Sequence, residues 1–315
     1  MTDAVNTILP IVLLIALGYW MRRSDFVSNE VMAGLRKLVV SVALPAVLFV
    51  AFLNVELAGE HVALVALTFG ICLVLLAVGA VLGRRLAPEH PYFRFLMTGF
   101  EAGMLGIGLF ASAYGTDALS TFAVVDLGHE LFIWSVFLAL LLATRDGIRQ
   151  TRVLAGTFIR SPVVIAILLG LAASLLGLSD WMYDGAITGG VMRTLEFLAA
   201  LTGPLILIVV GYGLDLDRRQ LSRVLKPVSV RLALITPLAL TIPTAVVGGL
   251  LALDATYQAA MFTLLILPPP FIIPLYMAEG THDDERGYVS ATLTTYTLVT
   301  VVVFAAYVAI FPPVV

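Results

Sequence analysis

The chain has 315 residues, 60% of them hydrophobic and only 12% charged, with a formal net charge of −3. Soluble domains hold about 45–50% apolar and about 25% charged residues, so a water-soluble core is excluded, and the small negative charge carries no nucleic-acid signature. Apolar runs of roughly 17–25 residues, enough to cross a bilayer core of about 30 Å, recur along the whole length, and no polar region is long enough to fold separately.

The opening MTDAVNTILP lacks the basic segment of a signal peptide, so the first apolar run is expected to be retained. Apolar windows place spans at 5–21, 35–53, 62–83, 93–114 and 120–143, then at 154–177, 188–213, 230–253, 256–279 and 288–311. Every Lys and Arg except Arg193 falls in the loops, or at the adjoining helix ends, after odd-numbered spans, with Arg231 counted among those helix ends. Short basic loops stay cytoplasmic, so both termini are expected outside, in the inner (cytoplasmic) membrane. Cys72, the single cysteine, lies in an apolar run and excludes internal disulfides and thiolate metal clusters.

Ten spans divide into five and five: 1–144, a basic cytoplasmic linker at 145–153, and 154–315. An odd number per half inverts the second half. Pro45 and Pro204, and Gly106 and Pro268, recur at nearly the same offset. The expected fold is thus an all-α polytopic membrane protein of two inverted five-helix repeats. Helix breakers fall in corresponding spans: Gly103, Gly106 and Gly108 in the fourth, and Pro268, Pro269 and Pro270 in the ninth. Paired interruptions of this kind point to a transporter site. Non-helical backbone survives at membrane depth only where protein or a water-filled cavity covers it, so spans 4 and 9 are expected to cross as discontinuous helices. Their inner ends then leave amides for an anion and carbonyls for a cation.

Ionisable residues gather at the same depth. Glu101 precedes the glycine cluster, about 10 Å from the cytoplasmic end of its span. Asp126, His129 and Glu130, spaced i, i+3, i+4, share one face of span 5. Carboxylates beside a histidine suit reversible proton binding, or a sodium ion near Glu101 and Glu130. Asp126 and His129 can equally be a local pair near the outer surface. HELFI (His129 to Ile133) lacks the second histidine of a zinc-protease HExxH, and no complete nucleophile or metal constellation appears. No enzyme and no cofactor are expected. Asn6, Thr294, Thr295 and Tyr296 are candidate lining residues, and DDER (Asp283 to Arg286) reads as a solvated cytoplasmic turn.

These landmarks resemble the auxin efflux carrier family. The run LGYWMRRSDFVSNEVMAGLRKLVVSVALPAVLFVAF (Leu17 to Phe52) looks like its first two spans, and PPPFIIPLYMAEG followed by VSATLTTYTLVT (Val289 to Thr300) is similar to its ninth and tenth. The resemblance implies inverted five-helix repeats, with spans 4 and 9 crossing at a proline-rich substrate site, and transport of small organic anions. The sequence departs from the family pattern at EAGMLGIG (Glu101 to Gly108), where Glu101 replaces an amide and Gly108 a proline. A carboxylate beside an anion site requires protonation or a bound cation.

The leading expectation is a secondary transporter of a small organic anion working by alternating access. The anion would sit at Gly103, Gly106, Gly108, Pro268, Pro269, Pro270, Phe271 and Ile272. Glu101, Asp126, His129 and Glu130 would couple a proton or sodium ion. The alternative is a cation/proton exchanger without organic substrate; a sensor that binds without moving its ligand is a third class. The partners expected are the organic anion and the bilayer, with a homodimer compatible and no nucleic acid.

Overall fold

Helices form wherever the apolar windows run long, and the residues between them account for where they stop. The computed structural model describes residues 2–54, 59–146, 162–214, 218–277, 281 and 283–312, and no strand occurs among them. The helices are α1 (Thr2–Arg23), α2 (Asn29–Leu53), α3 (Gly59–Leu86), α4 (Phe93–Leu96), α5 (Ala102–Tyr114), α6 (Leu119–Arg145), α7 (Pro162–Leu175), α8 (Ser179–Asp184), α9 (Thr188–Gly213), α10 (Ser222–Leu250), α11 (Ala255–Ile266) and α12 (Asp283–Ile310). Six of them, α2, α3, α6, α9, α10 and α12, are long and apolar enough to cross a membrane, and α5, α7 and α11 are shorter apolar helices. Large apolar side chains such as Val74, Phe197, Leu240 and Val302 stay exposed on their outer faces. In water such patches would be a liability; against lipid they are solvated.

Local chemistry sets the ends. Ser28 accepts the amide of Val31 to start α2, and Asp254 accepts those of Thr256 (2.8 Å) and Tyr257 (3.1 Å) to start α11. Gly115, at φ +84°, stops α5.

Packing separates two bundles. In one, α1 lies along α9 and α7 along α2, while α9 also packs on α2. Glycines allow these contacts to close to backbone distance: a Cβ on Gly18 would stand 2.0 Å from the Ile208 carbonyl oxygen, and one on Gly211 2.0 Å from that of Ile15. Gly170 meets Phe49 and Phe52 in the same way at the α7–α2 contact. In the other bundle α3 packs on α6, α10 on α12, and α11 on both α6 and α10. The bundles meet where α9 touches α5 and α2 touches α6.

Several boundaries differ from the sequence expectation. The interruption of the fourth span lies at residues 97–101, ahead of the glycine cluster, because Glu101 caps a helix that already begins at Ala102. The ninth span is helical only to Ile266; from Leu267 the prolines, which lack N–H groups, carry the chain through turns as far as Met277. Glu285 sits not in a solvated turn but in the first turn of α12, buried, with its carboxylate 2.5 Å from His90 Nδ1. The linker expected at 145–153 lies outside the described residues from 147 onward.

Candidate functional site

The two interruptions face each other. Gly99 holds φ +68°, and a Cβ there would lie 2.8 Å from Pro270 Cγ, so the backbone of one break rests on the ring at the other. The Glu101 amide donates to the Pro268 carbonyl (2.9 Å), tying the crossing together. Between the bundles a cavity of about 420 Å³ opens against this crossing.

Glu101 stands at its wall, buried. One carboxylate oxygen accepts the Met104 amide (3.2 Å) in the first turn leading to α5, and the other accepts the amide of Phe271 from the opposite break. The carboxylate therefore takes the place that an anion would fill at the two amide ends.

His129 completes the amide side. Its Nε2 accepts the Phe100 amide (2.9 Å), so Nδ1 carries the proton and donates to Asp126 Oδ1 (2.8 Å). Asp126 and His129 do form a pair, but a buried one on the cavity wall rather than near an outer surface. Glu130, one residue on, accepts a bond from Trp134 Nε1 (2.7 Å). Ligand atoms of Asp126, His129 and Glu130 all lie within 4.8 Å of one another. Both ring nitrogens of His129 are already engaged, which leaves carboxylate oxygens as the ready acceptors.

The carbonyl side is held by a residue that sequence reasoning put elsewhere. Arg231 lies on α10, fully buried, not at a cytoplasmic helix end. Its guanidinium donates to Leu96 O (2.9 Å), the last carbonyl of α4, and to Gly99 O (2.7 Å) and Leu267 O (3.1 Å) in the non-helical stretches that follow α4 and α11. The rings of Phe100 and Tyr296 flank it at 5.3 and 5.1 Å. Thr300 Oγ1 donates to Ile266 O (2.7 Å). The expectation of unpaired backbone at the crossing is thus corrected: side chains satisfy these groups, since a buried polar group without a partner costs about 1–3 kcal/mol. An arginine inside an apolar run was the available signal, obscured by counting it with the loop charges.

Of the residues singled out in the sequence, Glu101, Gly103, Asp126, His129, Glu130, Pro270, Phe271 and Ile272 line the cavity, joined by Thr294. Gly106, Gly108, Pro268 and Pro269 do not. The Gly106 amide is bonded within its helix to Glu101 O, and a Cβ there would strike Leu267 Cδ1 at 2.7 Å, while Gly108 makes room for Ile206 of α9. Arg36 stands on the lining from α2 and is exposed.

The family model described as membrane transport protein matches residues 3–312, nearly the whole chain. The chain belongs to the auxin efflux carrier family. No curated protein matches it. The cavity lies between the two helix bundles and is walled by the interrupted helices. At about 420 Å³ it falls within the range of small-molecule sites, about 300–1,000 Å³. The carboxylates of Glu101, Asp126 and Glu130 all stand on that wall.

Proposed function

We propose that the carrier moves a small organic anion across the inner membrane by alternating access, coupled to a proton or sodium ion. The observation that carries this reading is Glu101, whose carboxylate receives the amides of both breaks beside the cavity. A substrate carboxylate has the same chemistry and competes for the same donors. Neutralising Glu101 frees the Phe271 amide, so anion binding and ion uptake become one event.

Packing supports two inverted five-helix halves, and the basic loops after odd-numbered spans support both termini outside. The first span of the first half, α1, lies on α9, the second span of the other; reciprocally, α7, the first span of the second half, lies on α2, the second span of the first. In that arrangement α1, α2, α7 and α9 form the frame and the remaining long helices the part that moves. The glycine contacts between backbones favour a rigid frame.

The test is uptake in proteoliposomes. A panel of monocarboxylates, dicarboxylates and aromatic acids is supplied under imposed pH and sodium gradients. Saturable, gradient-driven accumulation of one class is expected, and Glu101→Gln retaining full gradient-driven transport would remove the coupling role. One observation favours a second reading, cation/proton exchange without organic cargo: the convergence of Asp126, His129 and Glu130 within 4.8 Å. It predicts cation-driven pH change in vesicles containing no organic solute.

A further inference from the structure

The two bundles put different charges on the cavity wall. Glu101, Asp126, His129 and Glu130 come from α6 and the crossing, whereas Arg36, the one Lys or Arg among the described lining residues, comes from α2. Val40, Leu44 and Leu48 follow it at four-residue spacing, so one face of α2 runs along the cavity with Arg36 at the end nearest the basic loops. A Cβ on Gly103 would meet Leu44 Cδ2 at 3.5 Å, which sets the crossing two turns beyond Arg36, about 12 Å along the helix. No acceptor among the described residues bonds the Arg36 guanidinium. The carbonyls of Tyr212, Gly213 and Leu214, at the neighbouring end of α9, accept from Arg22 Nη1 at 3.5, 3.5 and 3.1 Å. A Cβ on Gly213 would stand 3.8 Å from Arg36 Nη2, so glycine leaves room beside the guanidinium.

We propose that Arg36 receives the carboxylate of the solute as it enters from the basic-loop side, and holds it against the frame before Glu101 gives up the amides of the breaks. The inference rests on the carrier reading above and adds to it a first binding station. At the crossing the donors are taken: the Met104 and Phe271 amides by Glu101, the Phe100 amide by His129. Arg36 keeps its N–H groups, set in the fork that matches the two oxygens of a carboxylate. Ser290 and Thr294 of α12 bring hydroxyls to the same cavity, and Leu44, Leu48, Val209 and Val210 give the rest of the solute an apolar wall. Because α2 belongs to the frame, the contact is made on one side of the transport cycle and broken when the other bundle moves.

Two measurements that need no flux decide the point. Ser290→Cys puts a thiol on the lining, while the native Cys72 is buried and stays silent. Its reaction with a negatively charged sulfonatoethyl thiosulfonate is compared with that of the positively charged trimethylammonium analogue. Adding Arg36→Gln is expected to lower the anionic-to-cationic rate ratio several-fold; an unchanged ratio would overturn the proposal. In detergent, benzoate and succinate are titrated against the unfolding temperature of the purified protein, with chloride at equal ionic strength as the blank. Saturable stabilisation by at least one of them is expected. Its midpoint should rise about tenfold or more in Arg36→Gln and less in Arg36→Lys, which keeps the charge without the fork. Equal midpoints in wild type and Arg36→Gln, or no stabilisation of the wild type by either acid, would overturn it. A protein that binds through Arg36 yet moves nothing defeats the carrier reading alone. With no bond to lose among the described residues, Arg36→Gln is expected to unfold at the wild-type temperature when acid is absent. A drop there would mark a structural role and count against the proposal.

Discussion

Gly99 and Pro270 touch across the crossing: with φ at +68°, Gly99 presents a bare α-carbon to the proline ring, and any Cβ would lie 2.8 Å from Pro270 Cγ. Gly99→Ala is therefore expected to destabilise the protein by about 2 kcal/mol or more, from the left-handed backbone and the forced separation of the breaks. Thermal unfolding in detergent, followed by loss of monodisperse protein, measures it. An unchanged midpoint would show that the crossing is looser than this contact requires.

Glu101→Gln keeps the size of the side chain but replaces one acceptor oxygen with a donor that cannot receive either the Met104 or the Phe271 amide. It is expected to cut pH-gradient-driven accumulation about tenfold or more, while counterflow of labelled against unlabelled substrate survives. Equal loss of both activities would indicate collapse of the site instead of lost coupling.

His129→Leu removes the acceptor for the Phe100 amide and the donor to Asp126 together. Two buried groups are left without partners, at about 1–3 kcal/mol each. Asp126→Asn, which still accepts from Nδ1, is expected to cost less. Denaturation midpoints of the two variants give the comparison, and the reverse order would mean that the Asp126 charge matters more than the hydrogen bond.

Gly18→Leu forces a side chain into the Ile208 and Tyr212 backbone at the α1–α9 contact. Overpacking of this kind costs about 1–3 kcal/mol or more. Gly34→Leu, at a glycine whose added Cβ would meet nothing within 4 Å, is the control. The first variant is expected to lose folded yield in membranes and the second to keep it.

The sequence makes the helical architecture and the location of the site legible, for different physical reasons. Hydrophobic length is a strong signal, so nearly every apolar window became a helix. The run of prolines, Pro268 to Pro270, could not continue α11, and the helix ends at Ile266. Glu101, Asp126, His129 and Glu130 stood out because charged groups are rare at that depth, and all four line the cavity. Partner choice was not legible. Whether the breaks hold open backbone or bonded backbone depends on side chains distant in sequence, such as Arg231 and Thr300. Nor does any local pattern distinguish Gly103, which lines the cavity, from Gly106, which packs against Leu267 and Phe122. Glu285 was misread for a similar reason: its partner, His90, comes from the turn between α3 and α4.

Consecutive prolines also skew the supply of hydrogen bonds deep in the protein. Pro268, Pro269 and Pro270 contribute three carbonyl acceptors and no N–H donor, in a region that water reaches poorly. A stretch so rich in acceptors has to import donors from other helices, and no side chain carries more of them than arginine. Around this stretch Thr300 serves Ile266 O, Arg231 serves Leu267 O and the Glu101 amide serves Pro268 O, so the donors that PPP lacks come from three other segments. Exchanging those prolines for residues that keep their own N–H groups would relieve the shortage and leave Thr300 with competition for Ile266 O.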